Sequence, residues 1–495
     1  MNCPGRADFG ATPFELPQRA ARELLLEAAD LLAARHYAPA PRTVATLERA
    51  RIDALLPPDA PENGGGVARL RAILCDEFLP FTRDYRHPLH LGHQRPAPSL
   101  ASLYADFATA AFNPTVGMFE GGPYAVAVEQ RVLGWMKKLA GYPASAVATL
   151  VNGGAEAHLT ALLAARDRAL AAGRAARDLH LVVGEHAHYT LARAHHILGL
   201  APDRIVTVPC RADLATDVAA LADRLDAIRR AGGTAMAIVA NAGCTANAAF
   251  DDLDAIAGLA SAGGIWLHVD AAHGGAALLS ARRRGLLAGL ARADSIIINP
   301  HKMFFVSAPC AVLLCRHRAL FAASLAVGLG RADYVIPDPA ALAEMEDGAE
   351  PLRWTLACTR TFAAFKLYAA ISAYGLAGLG ARIDRACDLA AFLGHELDAA
   401  PDFETLGRPA FNMVCFRYAP LGLGAATPDR LNRRIRDRLA AGPDAYLTGC
   451  VARGAYWLRA QVMSENVDEA SLRSLLPLLR RTAAELVHQP EGVLA

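Results

Sequence analysis

The chain has 495 residues, 53% of them apolar and 20% charged, with a formal net charge of +1. That length has room for two or three domains, and the composition excludes a disordered chain and gives no reason to expect nucleic acid or an anionic membrane as partner. No apolar run reaches the roughly 18 residues of a membrane span, and the first residues lack the basic-then-apolar order of a secretory leader.

Taken in chain order, residues 14–80 read as helical, with apolar positions three or four apart, broken at Pro57-Pro58 and at the glycines of 64–66. From about 100 to 320 short apolar runs alternate with helical stretches. Candidate strands are 179–183, 204–208, 235–240, 265–269 and 295–298, each about as long as a buried parallel strand. This is an α/β pattern with helices on both faces of a mostly parallel sheet. A long helix pattern then runs through 360–395. A short α+β region follows, with an apolar strand at 413–418 and a last helix at 467–486.

The ten cysteines are scattered singly, without a C-x-x-C pair. That argues for reduced thiols in a cytoplasm, and against a disulfide framework or a zinc site; no metal is expected. Of the 50 basic residues only four are lysine: Lys137, Lys138, Lys302 and Lys366. Where arginine serves as the general cation, lysine persists where an amine must lose its proton, which guanidinium cannot do. Lys302 sits among apolar neighbours, as either a reactive amine or a lysine whose stem is buried and whose tip reaches water.

Four features fall at the ends of the predicted strands, where open parallel sheets bind ligands. Asn152-Gly153-Gly154-Ala155-Glu156 is a glycine turn running into a helix, able to cradle a phosphate or simply to start a helix. His188 follows another strand and could lie flat on a planar ligand; with 16 histidines in the chain, a purely structural role stays open. Asp270 closes the strand at 265–269. It reads as an acid that holds a ring nitrogen protonated, or as the cap of the next helix. Lys302 follows in the loop after the next strand, where loss of water favours the neutral amine that condenses with a carbonyl. Phosphate turn, ring-stacking group, acid and lysine occur in that order along the chain, and together they read as a pyridoxal-5′-phosphate (PLP) site.

At these residues a family resemblance emerges. His268-Val269-Asp270-Ala271-Ala272, followed by Asn299-Pro300-His301-Lys302, resembles the pyridoxal-dependent (group II) amino-acid decarboxylases: aromatic-amino-acid, glutamate, cysteine-sulfinate and 2,4-diaminobutyrate decarboxylases. The likeness covers roughly residues 70–480. It implies the aspartate-aminotransferase-type (fold type I) architecture, with a small C-terminal α+β domain. It implies an N-terminal helical segment at 1–95 wrapping the partner subunit, a large PLP-binding domain at 96–355, and a small domain at 356–495. A homodimer with interface active sites is part of the same expectation. By the same resemblance Lys302 holds the cofactor, Asp270 pairs with the pyridine nitrogen and His188 stacks on the ring. Ala272 packs beneath the ring, Thr245 touches the cofactor, and Gly154, Ala155, Asn299 and His301 surround the phosphate. Arg459 resembles the arginine that receives the substrate carboxylate, with an interface salt bridge as its alternative role. His93 and Gln94, within His87–Gln94, resemble the diaminobutyrate branch and favour a polar aliphatic side chain.

The chain departs from that pattern in one place. The family carries a proton-donating tyrosine on a mobile loop. Residues 336–348 hold none, and a gapless count places Met345 there, with Tyr334 just upstream. From the family resemblance and the His93-Gln94 pair, decarboxylation of a polar, non-aromatic L-amino acid to amine and CO2 is expected. Oxidative decarboxylation–deamination to an aldehyde is the alternative, and a non-catalytic PLP-binding protein the third reading.

Overall fold

In the computed structural model, residues 16–38, 42–43, 49–325, 327, 351–421 and 427–487 are described. The loop tyrosine question, with Tyr334 and Met345, lies outside them. By packing, the chain forms two units, one of residues 94–394 and 405–415, the other of residues 1–93, 395–404 and 416–495.

The larger unit is built on a seven-stranded sheet. Its strands are β1 (Val147–Val151), β2 (Leu179–Gly184), β3 (Ile205–Val208), β4 (Thr234–Asn241), β5 (Trp266–Asp270), β6 (Ser295–Ile298) and β7 (Ala311–Cys315), in the spatial order β1-β7-β6-β5-β4-β2-β3. Only β7 runs against the others, pairing antiparallel with both β1 and β6. The five strands expected from sequence are all present. β1 and β7 were not among them. The β7 run merges with the apolar stretch that begins at Met303, and an antiparallel strand needs no crossover helix to mark its start.

Strands β2, β5, β6 and β7 are buried at every residue, as a sheet covered on both faces must be. The helix Gly154–Ala171 crosses this sheet on small side chains. Ala157, Ala161, Leu162, Ala164 and Ala165 are fully buried in one core with Leu181, Ala237, Val239, Trp266 and Ile297. Alanines let the helix axis approach closely, so its first turn is held against the ends of the strands rather than out in solvent.

The 360–395 pattern is not one helix. A helical segment spans Ala363–Asp398, but Gly375 (φ 66°, ψ 167°) interrupts it, a conformation that only glycine adopts without strain. A four-stranded sheet of β8 (Phe403–Thr405), β9 (Met413–Tyr418), β10 (Thr448–Ala452) and β11 (Ala455–Gln461) has the order β10-β11-β9-β8. In the smaller unit the N-terminal helices cover Gln18–Tyr37, Arg49–Asp53 and Gly66–Ala72, and the last helix is Glu469–Val487. Among the described residues no helix is long and apolar enough to cross a membrane.

Candidate active site

The site residues of the larger unit hang from strand ends. Gly154 lies three residues past β1, His188 four past β2, Thr245 four past β4, and Lys302 four past β6; Asp270 is the last residue of β5. Parallel register aligns Asp270 with Asn241 on β4 and with Ile297 on β6. Asp251 fixes the neighbouring loops: its buried carboxylate accepts the backbone N–H groups of Thr216 and Asn241, both at 2.7 Å.

Around Lys302 the backbone turns tightly. The Lys302 N–H donates to the Asn299 carbonyl at 2.9 Å, and Asn299 N–H donates to the Ala272 carbonyl at 3.1 Å. This ties the lysine loop to the residue two beyond Asp270. The His301 ring lies 2.6 Å from the Cys310 carbonyl through Nδ1, and burial brings it down to about 4, so it is neutral at pH 7. Lys302 is half-buried and donates from Nζ to Oε1 of Gln94 at 2.9 Å. The other three lysines are engaged or placed elsewhere. Lys137 donates to the carbonyls of Ala144 and Ala146, Lys138 is exposed, and Lys366 is buried against Asp106 and Ser307.

Burial alone would raise the Asp270 carboxyl. The His158 ring 3.4 Å away, the Lys302 amine and the Ala272 N–H outweigh it and hold the acid well below the usual carboxylate range. His188 is held below its ordinary value, chiefly by burial, although Asp270 acts in the opposite direction. Its Nδ1 lies 2.6 Å from the Thr190 hydroxyl and takes the Thr190 N–H at 3.4 Å. A backbone N–H can only donate, so Nδ1 is the acceptor and the ring proton sits on Nε2.

Gly154 opens the helix Gly154–Ala171, and a Cβ on it would lie 3.3 Å from the Asn299 amide and 3.7 Å from Ile297. Ala155 is exposed in the first turn, and Ala272 is buried. Thr245 is half-buried in the turn after β4. Asn299 Oδ1 and Gln94 Nε2 are buried without a hydrogen-bond partner within the protein. Two orphaned amide atoms flanking a lysine, an acid and a helix N-terminus fit a polar, phosphate-bearing group with a ring nitrogen.

Two further expected residues belong to the smaller unit. His93 is exposed, its Nε2 lying 2.8 Å from the Tyr446 hydroxyl. Arg459 lies on β11, is 8% exposed, and donates from Nε to the Thr448 hydroxyl at 3.0 Å.

Sequence reasoning missed His158, His268, Ser295 and Thr190. Thr190 had a weak signal, lying two residues past His188, where short polar side chains bond back to a neighbour. His158 had one too, since four residues past Gly154 is the same face of the helix.

The buried histidines make stability depend on pH. Burial brings His268 down to about 3, beside about 4 for His301. In the unfolded chain both titrate near ~6.5, so below that pH the unfolded state binds more protons and stability falls as pH falls toward about 4. Asp270, whose carboxyl is depressed by folding, contributes stability above its unfolded value near ~3.9 and does not offset this loss. The urea midpoint is therefore expected to be lower at pH 5 than at pH 7. An equal or higher midpoint at pH 5 would contradict the neutral-histidine assignment.

Comparison with known proteins places these features in a family. The profile of the pyridoxal-dependent decarboxylase conserved domain matches residues 52–419. An L-2,4-diaminobutyrate decarboxylase of Rhizobium meliloti (strain 1021) is 32% identical over 439 residues, covering 88% of this chain and 86% of its own. A tyrosine decarboxylase of Oryza sativa subsp. japonica is 29% identical over 455 residues, covering 87% of this chain and 84% of its own. Among solved structures, Oryza sativa TDC with PLP and tryptamine superposes with a TM-score of 0.88 at 24% identity, covering 96% of this chain and all of that one. The chain belongs to the pyridoxal-dependent decarboxylases, lyases of amino acids whose cofactor is PLP.

Proposed function

We propose that the protein decarboxylates a polar, non-aromatic L-amino acid to its amine. The observation that carries this reading is Gln94. Its carboxamide oxygen takes the Lys302 amine, while its buried Nε2 has no partner within the protein. An aromatic side chain beside that N–H would leave it unsatisfied, at a cost of about 1–3 kcal/mol, whereas a polar substrate can accept from it. The likeness to a diaminobutyrate decarboxylase supports the same choice.

Lys302 would hold the cofactor, Asp270 its ring nitrogen, and His188 its face. Gly154, Ala155, Asn299 and His301 would hold the phosphate, with Thr245 and Ala272 against the ring. When bound, PLP supplies an electron-accepting ring for the bond between Cα and the carboxylate. Arg459 is the assigned receiver of the substrate carboxylate, and His93 and Gln94 are assigned to the side chain. Asp270, ionised throughout the working range, supplies the fixed negative charge that keeps a pyridine nitrogen protonated. A proton must reach Cα after CO2 leaves, and His188 carries one on Nε2.

Mass spectrometry of the products from the twenty common amino acids plus diaminobutyrate, ornithine and cysteine sulfinate tests the assignment. Amine from one of the polar aliphatic substrates is expected; faster turnover of tyrosine or tryptophan would overturn it. The absence of tyrosine from 336–348 favours one second reading, oxidative decarboxylation–deamination to an aldehyde. Ammonia and peroxide released in place of amine would establish it.

A homodimer is part of the proposal, with residues 1–95 wrapping the partner, 96–355 binding PLP and 356–495 completing the chain. On the helix Leu100–Phe112, Leu100, Tyr104 and Phe107 are 58%, 72% and 59% exposed, at spacings that put them on one face. Sedimentation should report twice 52.3 kDa at micromolar concentration, and a monomer there would refute the dimer. The singly scattered cysteines, without a C-x-x-C pair, support a cytoplasmic location, which cell fractionation tests.

A further inference from the structure

Behind Asp270 lies a chain of buried polar groups that the proposed reaction does not account for. The Trp266 indole Nε1 lies 2.8 Å from Ser295 Oγ, and Ser295 Oγ lies 2.8 Å from His268 Nδ1. His268 Nε2 lies 3.0 Å from His158 Nδ1, and His158 Nε2 lies 3.4 Å from Asp270 Oδ2. Trp266, Ser295 and His268 are fully buried, and His158 is 1% exposed.

The two ends of this chain fix its direction. An indole N–H can only donate, and an ionised carboxylate can only accept. Between them stand one hydroxyl and two imidazoles, each able to donate once and accept once. With both rings neutral a single arrangement satisfies every link: Trp266 N–H to Ser295, Ser295 O–H to His268 Nδ1, and His268 Nε2–H to His158 Nδ1. The remaining proton of His158 is then on Nε2, facing Asp270. Such a chain is polarised toward its acceptor, because each donation makes the next donor stronger.

We propose that His158 is a positioning residue for the decarboxylase. It holds the Asp270 carboxylate, through the chain from Trp266, in the orientation that keeps the cofactor's ring nitrogen protonated. This rests on the reading of Asp270 as the partner of that nitrogen. Asp270 has two oxygens: Oδ1 accepts the Ala272 N–H at 3.1 Å, and Oδ2 faces His158. One contact from each side leaves the carboxylate little freedom to rotate. His158 is also placed for the task by the phosphate helix, one turn beyond Gly154, so one element aligns both ends of the cofactor site. Its ring lies nearly parallel to that of His188, with centroids 6.3 Å apart.

The test uses the full chain reconstituted with PLP carrying 15N in its ring, whose nuclear resonance reports the protonation of that nitrogen. His158→Asn keeps an amide where Nδ1 meets His268 but stops short of Asp270. His158→Gln places an amide N–H close to where Nε2 stands. The wild type should show a protonated nitrogen. His158→Asn should shift the resonance toward the unprotonated range and lower kcat about tenfold to a hundredfold, with KM changing less. His158→Gln should return both to within about threefold of wild type. A resonance and kcat in His158→Asn equal to wild type would overturn the proposal, as would equal damage in the two variants. Asp270→Asn separates this from the underlying reading: if its nitrogen remains protonated, Asp270 is not the partner and both ideas fail. Should neither His158 variant fold, Ser295→Ala interrupts the same chain from its far end. A smaller shift in the same direction then supports the proposal, and an unchanged resonance overturns it.

Discussion

Lys302→Ala is expected to lose decarboxylation by at least about a thousandfold, roughly 4 kcal/mol of barrier, and to lose the visible absorption of the cofactor-bound enzyme. No other amine can take its place. Lys137 is committed to two backbone carbonyls, Lys138 points to solvent, and Lys366 is held by Asp106 and Ser307. Lys302→Arg should be as inactive as the alanine variant, because guanidinium keeps its proton at any working pH. The fold should tolerate both changes, since Lys302 lies in a half-buried loop after β6 rather than in a strand or helix. Borohydride treatment of the wild type followed by peptide mapping should place a pyridoxyl group on Lys302. A pyridoxyl group on Lys366, or on no lysine, would overturn the assignment.

The positions of the candidate site residues stand out in the chain because they close or follow buried strands. The buried runs Trp266–Asp270 and Ser295–Ile298 end where the sheet ends, so Asp270 and the Asn299–Lys302 loop lie at the break in pattern. The chemistry proposed for them rests on the scarcity of lysine and on the Asn299–Lys302 motif. What could not be read were contacts made across the fold. His158 is one of 16 histidines in the chain, and its place one turn past Gly154 is only a weak signal on a helix whose buried face is mostly alanine. It meets Asp270 and His268 only because the helix crosses the sheet at close range. The break at Gly375 was hidden for a different reason. Glycine is tolerated in a helix at about 1 kcal/mol, so Gly375, Gly378 and Gly380 in a helical pattern do not say which of them turns left-handed. Residues 372–378 are all exposed, so no buried face marks where the helical pattern breaks.

The second large effect is expected from Asp270→Asn, which removes the charge at nearly constant shape and puts an NH2 where Oδ2 now faces His158. The asparagine oxygen can still accept the Ala272 N–H that Oδ1 takes now, and the side chain has the same shape in a site that is nearly closed to water. PLP should therefore stay bound through Lys302 and the phosphate cradle at Gly154. The fixed negative charge is gone, however, and with it the means of keeping a ring nitrogen protonated while electrons move toward it. In a buried site that charge is not replaced by solvent, so turnover should fall at least about a thousandfold, again roughly 4 kcal/mol. The competing role for Asp270 makes the opposite forecast. As a cap for the turn that starts after β5, asparagine serves as well as aspartate, and a cap variant would differ by a few tenths of a kcal/mol. Turnover of Asp270→Asn within a few-fold of wild type, with cofactor bound, would reduce the residue to that cap; a thousandfold loss at unchanged melting temperature places its charge in the chemistry.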